Sequence, residues 1–243
     1  MTTSHAAVAE ADAKRPQAGG SSFASTTSQL PGWSTMYAHR RSVAARFGCW
    51  HALSLVRRAE DVAVDAAPER GAMLEVGAGA RRLAVRLASR RPGCQYHSMD
   101  IDDTFAHDYH DLSDIARSFE CVVALEVVEH LPFEQIPGWL AALAERLAPG
   151  GRLVLSTPNT YYPPAYLRDA THRTPLAFDE LGGLVEHAGL RVERIVRVHN
   201  DPVHRRWLRR YAFGWLFRML GLDFAPQIVL VAERPASRSA AGG

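Results

Sequence analysis

The sequence has little cysteine, little net charge and no long apolar run. Its 243 residues include three cysteines, Cys49, Cys94 and Cys121, scattered and odd in number. That usage excludes a disulfide framework or a clustered zinc site and fits free thiols in a reducing, cytoplasmic setting. No stretch approaches the roughly 20 apolar residues of a membrane span. The first thirty residues hold Glu10, Asp12, Lys14 and Arg15 and lack the apolar core of a signal peptide. A formal charge of +2 is far from the concentrated positive field of a nucleic-acid binder.

What is present suits one α/β domain. Hydrophobic residues make up 47% of the chain, enough for a single sizeable core. Residues 1–32 and 235–243 read as disordered tails around a domain at 33–234. Residues 33–66 read as helical, because Val43, Phe47, Trp50 and Leu53 recur at spacings of four and three. "DAAPERG" ends that pattern. Short apolar runs then alternate with amphipathic helices. Strands are expected in "AMLEVG", "CQYHSMD", "FECVVALEVV", "GRLVLSTPN", "LRVERIVRV" and "QIVLVAE". Helices are expected from about Arg81 to Arg90, through Ile136, Leu140, Leu143 and Leu147 to an "APGG" stop, and through Phe178, Leu181, Leu184 and Val185. This alternation predicts a Rossmann-like, doubly wound, mostly parallel sheet that binds ligands beyond the carboxyl ends of its strands.

The loop in "LEVGAGARRLAVRLA", Leu74 to Ala88, carries the first functional signal. Gly77 and Gly79 suit a tight strand-to-helix turn with close ligand approach. A pyrophosphate fingerprint would place a third glycine at position 82, where Arg82 stands, which argues against NAD or FAD. The carboxylate of Glu75 would repel a phosphate and attract a cationic, amino-bearing ligand.

"LEVGAGARRLA", the acidic strand end "SMDID", "FECVVALEVVEHL" and "LAPGGRLVLSTPN" follow one another as in class I S-adenosylmethionine-dependent methyltransferases. The resemblance covers roughly Met73 to Leu190 and is greatest to the small-molecule subgroup that includes ubiquinone-biosynthesis O-methyltransferases and natural-product and sugar methyltransferases. It implies a seven-stranded sheet with an antiparallel last strand, and S-adenosylmethionine as cofactor. It assigns Glu75, Gly77 and Gly79 to the methionine part, Asp100 to the ribose hydroxyls, and Asp111 and Leu112 to the border of the adenine. Glu126 to His130 would face the transferred methyl. Family members usually carry a further glycine where this chain has Arg81.

Methyl transfer to a hydroxyl needs in-line alignment and a base. His130, after the fourth expected strand, and His172, in "RDATHRTPLAF", are the two candidates, each also able to serve as a loop support. Glu129 could orient either. No metal is assigned, because "EVVEH" alone does not establish one. "HDYHD", His107 to Asp111, reads as structural, Cys121 as core, and Asn159, Tyr161 and Tyr162 as either site wall or packing.

Residues 200–224 form an amphipathic insertion before the last strand. Trp207, Leu208, Tyr211, Trp215, Leu216 and Met219 share a helical face, with Arg205, Arg206, Arg209 and Arg210 largely off it. Packing on the sheet, a dimer contact, or peripheral membrane or lipid contact through 204–222 are its alternatives. The place where enzymes that methylate base amino groups carry Asn/Asp-Pro-Pro-aromatic reads "ALEVVEH" here, so no nucleic-acid partner is expected. The expected function is methyl transfer to a small molecule, to oxygen rather than nitrogen, with a lipid, glycan or secondary-metabolite precursor as acceptor. The competing reading is a non-catalytic cofactor-binding or scaffold protein on the same fold.

Overall fold

The computed structural model describes residues 33–199 and 201–236. The tails expected at 1–32 and 235–243 lie outside the described residues, apart from residues 235 and 236. Among the described residues seven strands form one sheet: β1 (Ser54–Val56), β2 (Gly71–Val76), β3 (Cys94–Met99), β4 (Phe119–Leu125), β5 (Leu147–Pro158), β6 (Arg191–Val198) and β7 (Gln227–Glu233). Their order is β1-β6-β7-β5-β4-β2-β3. All pairings are parallel except those of β7, which runs antiparallel to β5 and β6.

Helices cover both faces: α1 (Trp33–Phe47), α2 (Ala59–Ala66), α3 (Arg82–Arg90), α4 (Ile136–Glu145), α5 (Pro163–Leu167), α6 (Phe178–His187), α7 (Val203–Trp207) and α8 (Gly214–Met219). Successive strand side chains point to opposite faces. Leu74, Val122, Leu153 and Leu230 therefore join Val43 of α1, Leu140 and Leu143 of α4, and Leu181 of α6 in one core layer. Met73, Cys121, Val154 and Val229 join Val62 and Ala63 of α2 and Leu83 and Leu87 of α3 in the other. Burial on both faces explains why the strands read as nearly continuous apolar runs. Helix α1 lies against α6 at Gly183, where an added Cβ would sit 2.9 Å from the backbone nitrogen of Arg40.

Three expectations change. The helical reading of 33–66 is interrupted: α1 stops before Gly48 (φ 74°), and Ser54–Val56 becomes the edge strand beside β6. A tertiary contact overrides the local pattern there. The guanidinium of Arg197 on β6 donates to the carbonyls of Leu53 and His51 and holds this segment against the sheet. Leu147 does not belong to the helix before "APGG". Helix α4 ends at Glu145, and Leu147 opens β5 opposite Phe119. The insertion before β7 is not one helix either, since α7 and α8 are separated by a π turn, Leu208–Ala212.

The parallel arrangement brings the carboxyl ends of β2, β3, β4, β5 and β6 to one edge of the sheet. The residues singled out by the sequence gather along it.

Candidate active site

The glycine loop leaves β2 at this edge. Gly77 (φ 72°) is needed twice, for its backbone conformation and because a Cβ would meet Val127 Cγ2 at 2.4 Å. Gly79 (φ 45°) has no neighbouring atom within 4 Å of a would-be Cβ, so its side of the loop is open. The backbone amides of Gly77 and Ala78 donate to the Met99 carbonyl at 2.9 and 3.2 Å, which stitches the loop to the end of β3. Asp100 completes the link. Its Oδ2 accepts from the Gly79 amide at 2.7 Å and its Oδ1 from the Asp102 amide at 3.0 Å. Each oxygen keeps further acceptor capacity, the chemistry that two ribose hydroxyls require.

Glu75 is buried, accepts from the Tyr96 hydroxyl, and has its carboxyl pushed up to about 7 by burial, against the pull of that hydrogen bond and of Arg81. Arg81 itself sits at φ 55°, the left-handed conformation that a glycine provides more easily. Its guanidinium lies 5.5 Å from the Tyr96 ring centre, and Nη1 donates to the Ala106 carbonyl at 3.2 Å. The side chain is thus engaged with Tyr96 and Ala106, and the turn keeps its shape without the glycine.

Asp111 caps a 3₁₀ turn, Leu112–Asp114, by accepting from the Ser113 amide at 2.7 Å. Leu112 is 4% exposed and packs into the core, so at this place a ligand would meet Asp111 and backbone rather than the leucine side chain. "HDYHD" is structural in large part. Asp108 accepts from the amide and hydroxyl of Ser98, and the imidazole Nδ1–H of His110 donates to the Asp100 carbonyl at 3.0 Å.

Beyond β4, Glu126 takes a left-handed conformation (φ 56°), and its Oε1 accepts from the Ser156 hydroxyl at 2.9 Å and the Gln227 amide at 2.7 Å. Glu129 lies deeper. It is fully buried, and neither carboxylate oxygen has a hydrogen-bond partner among the described residues. Burial first, and then the charge of Glu126, push its carboxyl up to about 8. Its backbone carbonyl accepts from the amides of Arg173 and Thr174, at 2.8 and 3.1 Å, and the Thr174 hydroxyl donates to the Leu131 carbonyl at 2.7 Å. This strap returns the segment after β5 to the loop after β4 and sets His172 beside His130.

The hydrogen bonds fix both imidazoles. A carbonyl only accepts, so the contact of His172 Nδ1 with the Tyr166 carbonyl at 2.8 Å places the proton on Nδ1. The Thr171 hydroxyl donates to Asp169 Oδ1 at 2.6 Å and so accepts from His130 Nδ1 at 3.0 Å. In the neutral rings both Nε2 atoms carry the lone pair. Glu129, His130 and His172 each offer one ligand atom, all within 4.8 Å of one another. Among the described residues this is the arrangement that could hold a divalent metal, for which a carboxylate and two imidazoles are a suitable donor set.

Thr171, Asp169 and Tyr166, which orient the histidines, escaped the sequence reading, because nothing in their spacing marks them until the strap brings the loops together. Asn159 is resolved as support. It is 2% exposed, and its amide donates to Asp223 and to the Ala225 carbonyl, both at 2.9 Å. Tyr161 stacks on Trp50, with 5.5 Å between ring centres.

A glycine loop tied to an acidic strand end, at the carboxyl edge of a sheet closed by an antiparallel last strand, defines an α/β enzyme that binds a nucleoside-bearing cofactor. Residues 41–224 match the family model described as a methyltransferase domain, and the chain belongs to that family. It is a class I enzyme that uses S-adenosylmethionine. A search of curated protein sequences finds no match. Among solved structures, an S-adenosylmethionine-dependent methyltransferase from Archaeoglobus fulgidus superposes with a TM-score of 0.55 at 17% identity, over 80% of this chain and 94% of its own. One from Mesorhizobium loti gives 0.51 at 15%, over 73% and 98%. The [4+2]-cyclase SpnF gives 0.52 at 14%, over 84% and 94%. At these identities the likeness is one of fold.

Proposed function

We propose that the chain methylates a small molecule at a hydroxyl oxygen, with His130 and His172 serving the acceptor. The observation that carries this reading is the pair of imidazoles with Nδ1 committed to acceptors and Nε2 left to take a proton, beside a buried carboxyl that has no hydrogen-bond partner among the described residues. An amine or carboxylate acceptor would need less of this machinery.

The residues fit the cofactor. Gly79 presents open space, Asp100 retains acceptor capacity for ribose hydroxyls, and Arg81 is turned onto Tyr96. Glu75, Gly77 and Gly79 would hold the methionine part, Asp100 the ribose, and Asp111 the edge of the adenine. When bound, the cofactor supplies an electrophilic methyl group on a sulfonium. The chain then has two tasks. Its loops align the acceptor oxygen, a contribution that can reach roughly 7–11 kcal/mol. His130 Nε2 would receive the proton that the acceptor hydroxyl gives up, and Asp169, through Thr171, would hold the ring that becomes charged. His172, held by Tyr166, fixes the acceptor's approach. Glu129 keeps its own proton near neutral pH and so leaves the imidazoles without a competing negative charge.

The test is transfer of labelled methyl from S-adenosylmethionine to a panel of matched hydroxyl and amine acceptors, phenols and lipid- or sugar-borne hydroxyls included. Hydroxyl acceptors should be labelled, and His130→Asn should slow the labelling by about 10²–10⁴. Labelling confined to amines, or insensitive to His130, overturns the reading.

A further inference from the structure

Between β6 and β7 the chain makes an excursion whose apolar residues face outward. Trp207, Tyr211, Trp215 and Met219 are each at least 60% exposed, and Leu208, Phe213, Leu220 and Leu222 are exposed as well. Neither α7, α8 nor the turn between them buries a residue. Scattered exposed hydrophobes are ordinary, but this many within one short segment are not. Two cavities of about 220 and 290 Å³, both lined by Leu55, Arg210 and Tyr211, separate the excursion from β1. Among the described residues, then, the body does not supply the burial that these side chains lack.

The charge on the same segment has one sign. Val203 to Leu222 contains Arg205, Arg206, Arg209, Arg210 and Arg218 and no aspartate or glutamate. The flanking acids are already engaged, Asp201 with Arg209 at 2.9 Å and Asp223 with Arg197 at 2.9 Å. Arg205, Arg210 and Arg218 pair with no carboxylate among the described residues. Aromatic and aliphatic side chains interleaved with unpaired arginines match the headgroup region of an anionic membrane.

The placement agrees. Strands β5 and β6 both run antiparallel to β7, so the excursion departs from the same sheet edge that carries the candidate active site. Its far end is tied to that site: the Asp223 amide donates to the Tyr161 carbonyl at 2.7 Å, and Asn159 donates to Asp223.

We propose that residues 203–222 dock on an anionic phospholipid bilayer, with the aromatic and aliphatic side chains in the interface and Arg205, Arg210 and Arg218 on lipid phosphates. A second copy of the chain fits less well, because a self-complementary contact would set arginine against arginine. A single-stranded nucleic acid could stack on the aromatics but offers nothing to Leu208, Met219, Leu220 and Leu222. The surface stands on geometry and charge alone, independent of which acceptor is methylated.

The full chain should be sedimented with vesicles of equimolar phosphatidylglycerol and phosphatidylcholine, and with pure phosphatidylcholine. Binding is expected to the anionic vesicles, to weaken with added salt, and to shift tryptophan emission to shorter wavelength. Replacing Arg205, Arg210 and Arg218 with glutamine should weaken partition about fivefold per residue, roughly a hundredfold for all three. Trp207→Ser with Trp215→Ser should abolish the emission shift. Both variants alter exposed side chains, and retained S-adenosylhomocysteine binding would confirm that they fold. Equal partition to both vesicle types, failure to bind either, or an emission shift that follows protein concentration and dimer formation without lipid would each overturn the proposal.

Discussion

The imidazoles of His130 and His172 meet edge to face, with 5.0 Å between ring centres and 61° between planes. They come from different loops, and the bonds of Arg173 and Thr174 to the Glu129 carbonyl bring them together. Two rings held this way should act as one unit. His130→Asn is expected to lower kcat by about 10²–10⁴, the usual span for removal of an acid–base group. The double variant with His172→Asn should cost little more than the worse single change, because groups that act together do not add. Steady-state kinetics would show this, with S-adenosylhomocysteine affinity by calorimetry unchanged throughout. Additive losses would mean that the two rings serve separate steps.

Asp100 accepts from Gly79 in the glycine loop, and the proposed reading gives it a second task, holding the ribose hydroxyls. Asp100→Ala removes a charged acceptor from both. A hydrogen bond to a charged group contributes roughly 1.5–3 kcal/mol, so affinity for S-adenosylhomocysteine should fall about 10- to 100-fold. Asp100→Asn keeps one oxygen for the Gly79 amide and should fall less. Equal losses in the two variants would show that the charge, rather than the loop anchor, carries the binding.

Much of this was legible in the sequence, for definite reasons. The central strands β2, β4 and β7 and the second half of β5 are buried on both faces and declare themselves as apolar runs. The glycine loop and Asp100 stand out in the sequence because each follows a strand, and the parallel pairing of β2 with β3 then sets the two side by side. What the sequence hid depends on distant pairing. Ser54–Val56 is a strand only because Arg197, far along the chain, takes the carbonyls of Leu53 and His51. Leu147 continues a helical spacing and yet pairs with Phe119 in the sheet. The Asp169–Thr171–His130 chain likewise exists only once the strap has closed.

Arg81 tests whether a departure from the family's glycine has a cost. A residue with a Cβ at φ 55° bears roughly 1–2 kcal/mol of strain. Arg81→Gly relieves it and gives up the contact with Tyr96 and the bond to Ala106. The two effects oppose each other, and unfolding in urea should place the variant within about 1 kcal/mol of the parent. Because the guanidinium is turned away onto Tyr96, cofactor affinity should change less than threefold. A large gain in affinity would show that Arg81 obstructs the pocket in solution.

Glu129 sets the pH dependence of stability. Its carboxyl is pushed up to about 8 in the folded chain from an ordinary value of 4.5, chiefly by burial, so the folded state holds this proton more tightly than the unfolded state. The stability it contributes is complete below about pH 4.5. It declines as pH rises and is lost once pH passes about 8. Glu75, pushed up to about 7, acts in the same direction. From pH 5 to pH 8.5 the parent should therefore lose on the order of a few kcal/mol in urea unfolding. Glu129→Gln, which cannot ionise, should lose distinctly less over that range. Parallel declines in the two proteins would refute the assignment. The same variant decides whether the trio with His130 and His172 takes a metal. A divalent cation bound there would stabilise the ionised carboxylate and flatten the parent's decline, with no effect on Glu129→Gln. Equal stabilisation of both proteins would place the cation elsewhere and leave the histidines to their protons.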